Sequence, residues 1–220
     1  MRTVVVGTQK GGSGKSSLAT GLAIAAMEEG QRVAIIETDP QGTVSNWARR
    51  RDNPEPRVVQ VNTGIEIDRA LLALKHAGCK LVVIDTAPTI NTLSMSAFSA
   101  ADFCLIPSRP SPADIEAALP TLNAIRKLGK PFAFVLNQAP ARSFRLSEAA
   151  VALNAVGVLA LPYIVQRNDH QDALGAGLGV TEYAPGSKAA EEIRGLWRWV
   201  SKELTTRSVE HEQAPIRAAN

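Results

Sequence analysis

The stretch Gln9-Lys10-Gly11-Gly12-Ser13-Gly14-Lys15-Ser16-Ser17 directly follows an apolar run and opens a segment of helical period. Glycines in such a loop allow backbone N–H groups to surround phosphate oxygens, and the following helix N-terminus adds partial positive charge. Lys15 begins the helix and is expected to reach the β- and γ-phosphates of a nucleotide, while the hydroxyl of Ser16 can bind Mg²⁺. The stretch therefore predicts a phosphate-binding loop, or P-loop, with residues 10–17 contacting ATP.

Five β-branched or aliphatic runs alternate with longer segments of helical period along the chain. This alternation is typical of parallel strands joined by crossover helices, and continuous apolar strands indicate that helices cover both faces. The predicted fold class is α/β: a single P-loop NTPase domain with a mostly parallel, twisted sheet. The predicted strands span residues 3–7, 32–37, 80–85, 102–107 and 131–137, with weaker candidates at 57–61 and 158–161. The predicted helices span residues 15–29, 44–51, 65–76, 93–100, 112–128, 147–156 and 187–204.

The composition is that of one globular domain rather than a disordered or membrane-spanning chain. The 220 residues are 45% hydrophobic and 20% charged, with a formal net charge of +3. No apolar run approaches the roughly 18 residues of a membrane span, and two cysteines are too few for a disulfide framework. We expect a cytoplasmic protein with its ATPase domain over residues 1–204 and a polar, disordered tail over residues 205–220.

Acidic residues follow two of the predicted strands. Asp39 closes the segment Ile35-Ile36-Glu37-Thr38-Asp39, and Asp85 ends the run Leu81-Val82-Val83-Ile84-Asp85. Because the carboxyl ends of parallel strands face one crevice, both carboxylates are expected beside the P-loop. There Asp39 would orient water or hold the shell of Mg²⁺, and Asp85 would act on Mg²⁺ through water. Glu37 is a secondary candidate for this contact to Mg²⁺.

The P-loop departs from the common pattern G-x-x-x-x-G-K-[ST], because Gln9 replaces the first glycine and Lys10 precedes the glycine pair. In this form the sequence resembles the ParA/MinD superfamily of deviant Walker A ATPases, from the N-terminus to about Leu204. The resemblance implies an ATP-bound homodimer in which Lys10 crosses to the phosphates of the partner's nucleotide. Lys10, Lys15 and Asp39 are then the predicted catalytic residues, with Asp39 positioning the attacking water, whereas Glu37 stands in place of a more usual aspartate.

Later segments resemble the small ParA/ParF-type partition ATPases. The likeness is carried by Asp39-Pro40-Gln41-Gly42 followed by Asn46-Trp47, and by Pro110-Ser111-Pro112-Ala113-Asp114. It implies nonspecific DNA binding, a nucleoid location, and a ParB-like or other partner that stimulates a weak ATPase while a cargo is partitioned or positioned. The cargo stays open among a plasmid, a chromosome region and a protein cluster. Asn137 and Pro162 match positions near the adenine in relatives, or are strand-end caps.

Basic residues near the end of the chain offer a candidate DNA-binding surface. Arg194, Arg198 and Lys202 recur at i, i+4 and i+8 on the last predicted helix, and Arg167 and Lys188 lie nearby in sequence. Such a stripe is either a phosphate-contacting surface or the solvated flank of an amphipathic helix.

Other classes of protein share the same kind of loop. A MinD-like membrane-site selector needs an amphipathic C-terminal helix with bulky apolar anchors, and residues 205–220 offer only Val209 and Ile216. Iron–sulfur carriers need cysteine ligands, but Cys79 and Cys104 fit better as small buried hydrophobic residues. A metabolic ligase or amidase remains an alternative, because a P-loop does not reveal whether the acceptor is water or a metabolite.

Overall fold

The computed structural model describes residues 1–141 and 144–213, with side chains described as far as residue 206. The strands, in chain order, are β1 (Arg2–Val6), β2 (Val33–Glu37), β3 (Arg57–Gln60), β4 (Leu81–Asp85), β5 (Phe103–Ser108) and β6 (Phe132–Leu136). The helices are α1 (Lys15–Glu28), α2 (Thr43–Arg49), α3 (Gly64–His76), α4 (Thr92–Ala100), α5 (Pro112–Lys127), α6 (Phe144–Asn154), α7 (Asn168–Gly175), α8 (Val180–Tyr183) and α9 (Lys188–Gln213).

The six strands form one parallel sheet in the order β3-β2-β4-β1-β5-β6. Apolar side chains alternate between its two faces, so that Val4 and Val6 join one core cluster and Val5 joins the other. Helices α1, α2, α7, α8 and α9 cover the first face, and α3 to α6 cover the second. Burial on both faces explains the continuous apolar strands, and the predicted α/β class is confirmed.

Two predicted elements differ from the structure. Residues 158–161 form no strand, and only a single parallel bridge joins Leu159 to Phe134. The last helix, α9, continues to Gln213 rather than ending at Leu204, so residues 205–213 extend a helix where an unstructured tail was predicted. The remaining tail residues, 214–220, lie outside the described residues. None of the helices within the described ranges is long and apolar enough to traverse a lipid bilayer.

The strand order brings the predicted site residues to one edge of the sheet. Val6, at the end of β1, is in register with Asp85 at the end of β4, and Glu37 at the end of β2 is in register with the same aspartate. The P-loop therefore leaves the sheet beside Asp85, and Asp39 follows two residues beyond the end of β2. Adjacent parallel strands account for this convergence.

Candidate active site

The P-loop connects β1 to α1 and is shaped by two glycines with positive φ, Gly12 at 69° and Gly14 at 85°. Its turn is held internally, because the carbonyl oxygen of Lys10 accepts hydrogen bonds from Lys15 Nζ at 3.1 Å and from Ser13 Oγ at 3.2 Å. Gly14 precedes α1 and provides no side-chain cap. The first backbone N–H groups of α1 are thus left for an anion.

Lys15 is a buried cation at this loop, with 7% of its surface exposed. Burial lowers the pKa of Lys15 below its ordinary value, while the carboxylates of Asp85 and Asp39 oppose that shift. An ammonium group withdrawn from water gains strongly from an incoming anion, because charge interactions strengthen in a low-dielectric site. The ammonium group of Lys15 can therefore bind a phosphate group at this loop.

Ser16 and Asp85 form the part of the site suited to Mg²⁺. Ser16 Oγ donates to Asp85 Oδ2 at 2.7 Å, and Asp85 is fully buried. Asp85 Oδ1 has no hydrogen-bond partner within the described ranges. Burial raises the pKa of Asp85 to about 7, although its hydrogen bond from Ser16 and the charge of Lys15 act in the opposite direction.

This donor set fits Mg²⁺, which prefers hard oxygen ligands and usually keeps several waters beside one or two protein groups and substrate phosphates. In the part of the chain that the structure describes, no group of three or more His, Cys, Asp or Glu residues is arranged to hold a metal ion. The protein ligands that Ser16 and Asp85 offer to Mg²⁺ are few, as is usual for this ion.

Asp39 is half-buried and lines the same cavity as the P-loop residues Gly11 to Ser17 other than Ser13, and its role in orienting water stays a prediction. Its Oδ1 accepts the backbone N–H of Gln41 at 2.9 Å, which fixes the side chain at the start of the segment leading to α2. Among the cavity-lining residues of the described chain, Asp39 is the only carboxylate.

Glu37 has a different role from the Mg²⁺-linked contact considered for it. The side chain is fully buried, and its oxygens accept the backbone N–H of Val44 at 2.7 Å and of Ser45 at 2.9 Å. A third donor, Ser45 Oγ, also contacts the carboxylate. Gly42 leaves the N-terminus of α2 without a side-chain cap of its own, so Glu37 supplies the negative charge there. The carboxylate is thus committed to anchoring α2, which starts at the cavity residue Thr43.

A cavity of about 640 Å³ opens above the P-loop. Its lining combines the loop, the segment after β2, the ends of β5 and β6, and α7. The residues that line it are Gly11, Gly12, Gly14, Lys15, Ser16, Ser17, Leu18, Asp39, Thr43, Pro88, Arg109, Asn137, Gln138, Ile164, Val165, Gln166, Arg167, His170, Gln171, Leu174 and Ile193.

The two predicted adenine contacts have separate positions. Asn137 lines the cavity, but its Nδ2 donates to the carbonyl oxygen of Ser13 at 2.8 Å, which ties the end of β6 to the P-loop. Pro162 is not among the cavity-lining residues and lies against Gly195 of α9. The wall near this segment is instead formed by residues 164–167, of which the sequence analysis named only Arg167, and that one for DNA binding.

The predicted DNA-binding residues do not form one free basic stripe. Arg194 makes an ion pair with Glu28 at 2.8 Å and donates to two backbone carbonyls, and its pKa is raised mainly by the hydrogen bond to Glu28. Arg167 lines the cavity and pairs with Glu192 at 2.7 Å. The exposed members of the predicted set are Lys188, Arg198 and Lys202.

The sequence also matches a known family model, that of the CobQ/CobB/MinD/ParA nucleotide binding domain, over residues 4–180. The chain belongs to this family. Within it, the chain is 31% identical over 210 residues to the maintenance of carboxysome distribution protein A of Gloeobacter kilaueensis, covering 92% of this chain and 94% of that protein. It is 24% identical over 233 residues to the chromosome-partitioning ATPase Soj of Thermus thermophilus, covering 89% and 94% of the two chains.

A solved structure has the same fold. The septum site-determining protein MinD from Pyrococcus horikoshii, in complex with Mg-ADP, superposes with a TM-score of 0.73 at 18% identity, covering 94% of this chain and 98% of that one. The predicted resemblance to the ParA/MinD superfamily is confirmed, and the chain is a ParA-family P-loop ATPase.

Proposed function

We propose that this ParA-family ATPase forms an ATP-dependent homodimer, binds DNA without reading its sequence, and partitions or positions a cargo with a partner protein that stimulates hydrolysis. The observation that carries the proposal is the separation of two lysines on one loop. Lys15 is buried in the cavity, whereas the side chain of Lys10 is exposed and absent from the described residues that line the same cavity. A lysine that does not face its own nucleotide is available to the nucleotide of a second subunit.

The proposed chemistry is the transfer of the γ-phosphoryl group of ATP to water. Catalysis of this kind depends on positioning and on charge stabilisation. Lys15 and the N–H groups of the P-loop bind the phosphates, while Asp39 orients the attacking water. Ser16 and Asp85, with Asp39 near them, would hold Mg²⁺, which when bound neutralises charge on the β- and γ-phosphates.

Replacing Lys10 with alanine should stop dimerisation while leaving ATP affinity within about twofold, because only the contact to the second subunit is removed. The measurement is molar mass by light scattering with a non-hydrolysable ATP analogue, together with calorimetric titration of ATP. Lys75→Ala is the control, since Lys75 is exposed on α3, away from the cavity. A parent protein that stays monomeric with saturating analogue would contradict the proposal, as would a dimeric Lys10→Ala variant.

The proposed DNA-binding surface is narrower than the sequence indicated. Arg198 and Lys202 remain exposed on α9, one turn apart, and Lys188 is exposed at its start. Arg194 is omitted because its guanidinium is already paired with Glu28. Nonspecific DNA binding relies on such cations near phosphates and weakens with salt.

The double variant Arg198→Ala, Lys202→Ala should bind random duplex DNA more weakly in the presence of ATP. Each subunit loses two phosphate contacts, which makes four in the proposed dimer, so the magnitude of the slope of log K against log salt concentration should fall by up to about 3.6. Fluorescence anisotropy over a salt series measures this slope. The double variant Lys75→Ala, Lys80→Ala removes two exposed lysines elsewhere and serves as the control. An unchanged slope in the α9 variant would remove this surface from the proposal.

The proposed cargo is a plasmid, a chromosome region or a protein cluster. Support comes from relatives named for carboxysome distribution and for chromosome partitioning, which resemble this chain over most of their length. In each case the proposed cycle requires DNA and a stimulating partner. The proposed location is therefore on the nucleoid.

A further inference from the structure

Three side chains outside the P-loop hold its backbone from one side. Gln138 Nε2 donates to the carbonyl oxygen of Gly12 at 3.0 Å, and Nη2 of Arg109 donates to the same oxygen. Asn137 Nδ2 donates to the next carbonyl, that of Ser13. These three residues, at the ends of β5 and β6, are called the loop clamp below.

The loop clamp determines which way the loop's N–H groups point. In a trans peptide unit the C=O and N–H bonds point in opposite directions, and the units after Gly12 and Ser13 are both trans. Holding their two carbonyl oxygens toward the loop clamp therefore turns the N–H groups of Ser13 and Gly14 to the other side. Neither N–H donates to a protein acceptor in the described part of the chain. Unpartnered N–H groups in a glycine-rich turn are anion ligands.

The backbone of Gln138 indicates that this arrangement is imposed by its surroundings. Gln138 has a φ of 51°, and it is the only non-glycine residue with positive φ in the described ranges. Non-glycine residues rarely adopt this conformation unless the surrounding structure enforces it, and such residues concentrate at ligand sites. Here the positive φ accompanies a side chain that reaches the carbonyl oxygen of Gly12.

Arg109 also brings a positive charge to the loop clamp, because it is a cation in the cavity wall. Its Nη2 contacts Gly12, whereas its Nε is buried with no hydrogen-bond partner among the described residues. Among the described residues no carboxylate forms an ion pair with this guanidinium, so its charge remains at the phosphate-binding loop. Arginine presents several donors in a rigid plane and is well suited to bind a carbonyl oxygen while staying near an anion.

We infer that Arg109 is a positioning residue that, with Gln138 and Asn137, sets the P-loop in its phosphate-binding conformation for nucleoside di- and triphosphates. This inference rests on the nucleotide binding that the proposed function requires. Because Arg109 acts through the loop rather than on one phosphate, ADP and ATP should depend on it equally.

The test compares Arg109→Met and Arg109→Lys with Arg126→Met. Arg126 is a matched control because its Nη2 also donates to a backbone carbonyl, that of Val156, and its guanidinium lies over Phe132 rather than in the cavity. Affinities for ADP and ATP are measured by calorimetry, and release of a fluorescent ADP by stopped flow. Arg109→Met should bind both nucleotides about tenfold more weakly, with faster release and with KM raised more than kcat is lowered, as expected for one lost charge-assisted hydrogen bond. Arg109→Lys should lie between the parent and Arg109→Met.

Three outcomes would overturn the inference. The first is nucleotide affinity and release in Arg109→Met equal to those of Arg126→Met. The second is loss of ATP affinity with ADP affinity intact, which would instead indicate direct contact with the γ-phosphate. The third is a change in the melting temperature of Arg109→Met with no change in its rate of nucleotide release relative to the parent protein. Failure of the parent protein to bind nucleotide would contradict the proposed function itself. Titration of the parent protein detects that failure independently of the Arg109 variants.

Discussion

Replacing Lys15 with alanine should weaken ATP binding by at least about 100-fold, because several charge-assisted hydrogen bonds to phosphate are lost together. Lys15 is nearly buried, and the carboxylates of Asp85 and Asp39 lie close enough to act on its pKa. Without its ammonium group, those acids would face the triphosphate with one less compensating charge. Calorimetric titration with Mg-ATP measures the loss, and circular dichroism checks that the variant is folded.

The matched control for Lys15→Ala is Lys127→Ala, which removes an exposed lysine from the last turn of α5. That variant should bind ATP like the parent. The role assigned to Lys15 would fail if a folded Lys15→Ala protein bound ATP within about threefold of the parent, a difference of less than 1 kcal/mol.

Replacing Asp39 with alanine should reduce ATP hydrolysis by at least about 100-fold and leave ATP bound, so that the dimer accumulates. Asp85 and Glu37 are fully buried, and their carboxylates accept hydrogen bonds from Ser16 and from the start of α2, respectively. Asp39, by contrast, lines the cavity and is oriented by the backbone N–H of Gln41. Its removal eliminates the acceptor for the attacking water and also one negative charge near the phosphates, so ATP affinity should not fall.

Hydrolysis by Asp39→Ala is measured as phosphate release, and the dimer as molar mass with ATP itself. Asp68→Ala is the control, because Asp68 is exposed on α3. A second variant, Asp39→Asn, keeps the size of the side chain and should be as slow as Asp39→Ala if a carboxylate is required. Turnover in Asp39→Ala equal to that of the parent would remove Asp39 from its proposed role.

The features that local sequence patterns encode were predicted correctly. The glycine pair and Lys15 define a loop whose conformation depends mainly on residues next to one another, and apolar runs of strand length define the strands. The meeting of Asp39 and Asp85 at one edge followed from parallel order alone, because strand ends in such a sheet share a crevice. The weaker candidate at residues 57–61 forms a full strand, β3, because it pairs with β2. Residues 158–161 make only one bridge to β6.

Other site features depend on partners distant in sequence, and only the tertiary structure decided them. Glu37 looked like a metal-linked acid, yet the chain folds α2 back so that its first N–H groups meet that carboxylate. Arg194 fits the helical basic stripe, but Glu28 from α1 lies opposite and pairs with it.

The loop clamp is the clearest example of a site feature that the tertiary structure decides and the local sequence does not. Nothing in the local sequence around Gln138 predicts a positive φ, and Arg109 lies far from Gly12 along the chain. A P-loop motif determines that phosphate is bound, since glycines and a helix N-terminus suffice to create the nest of N–H groups. Hydrogen bonds and ion pairs decide which side chains hold that nest and which cations stay free. These contacts form only when α1, β5, β6 and α9 pack together. The periodicity of one segment carries no information about its partners in another segment.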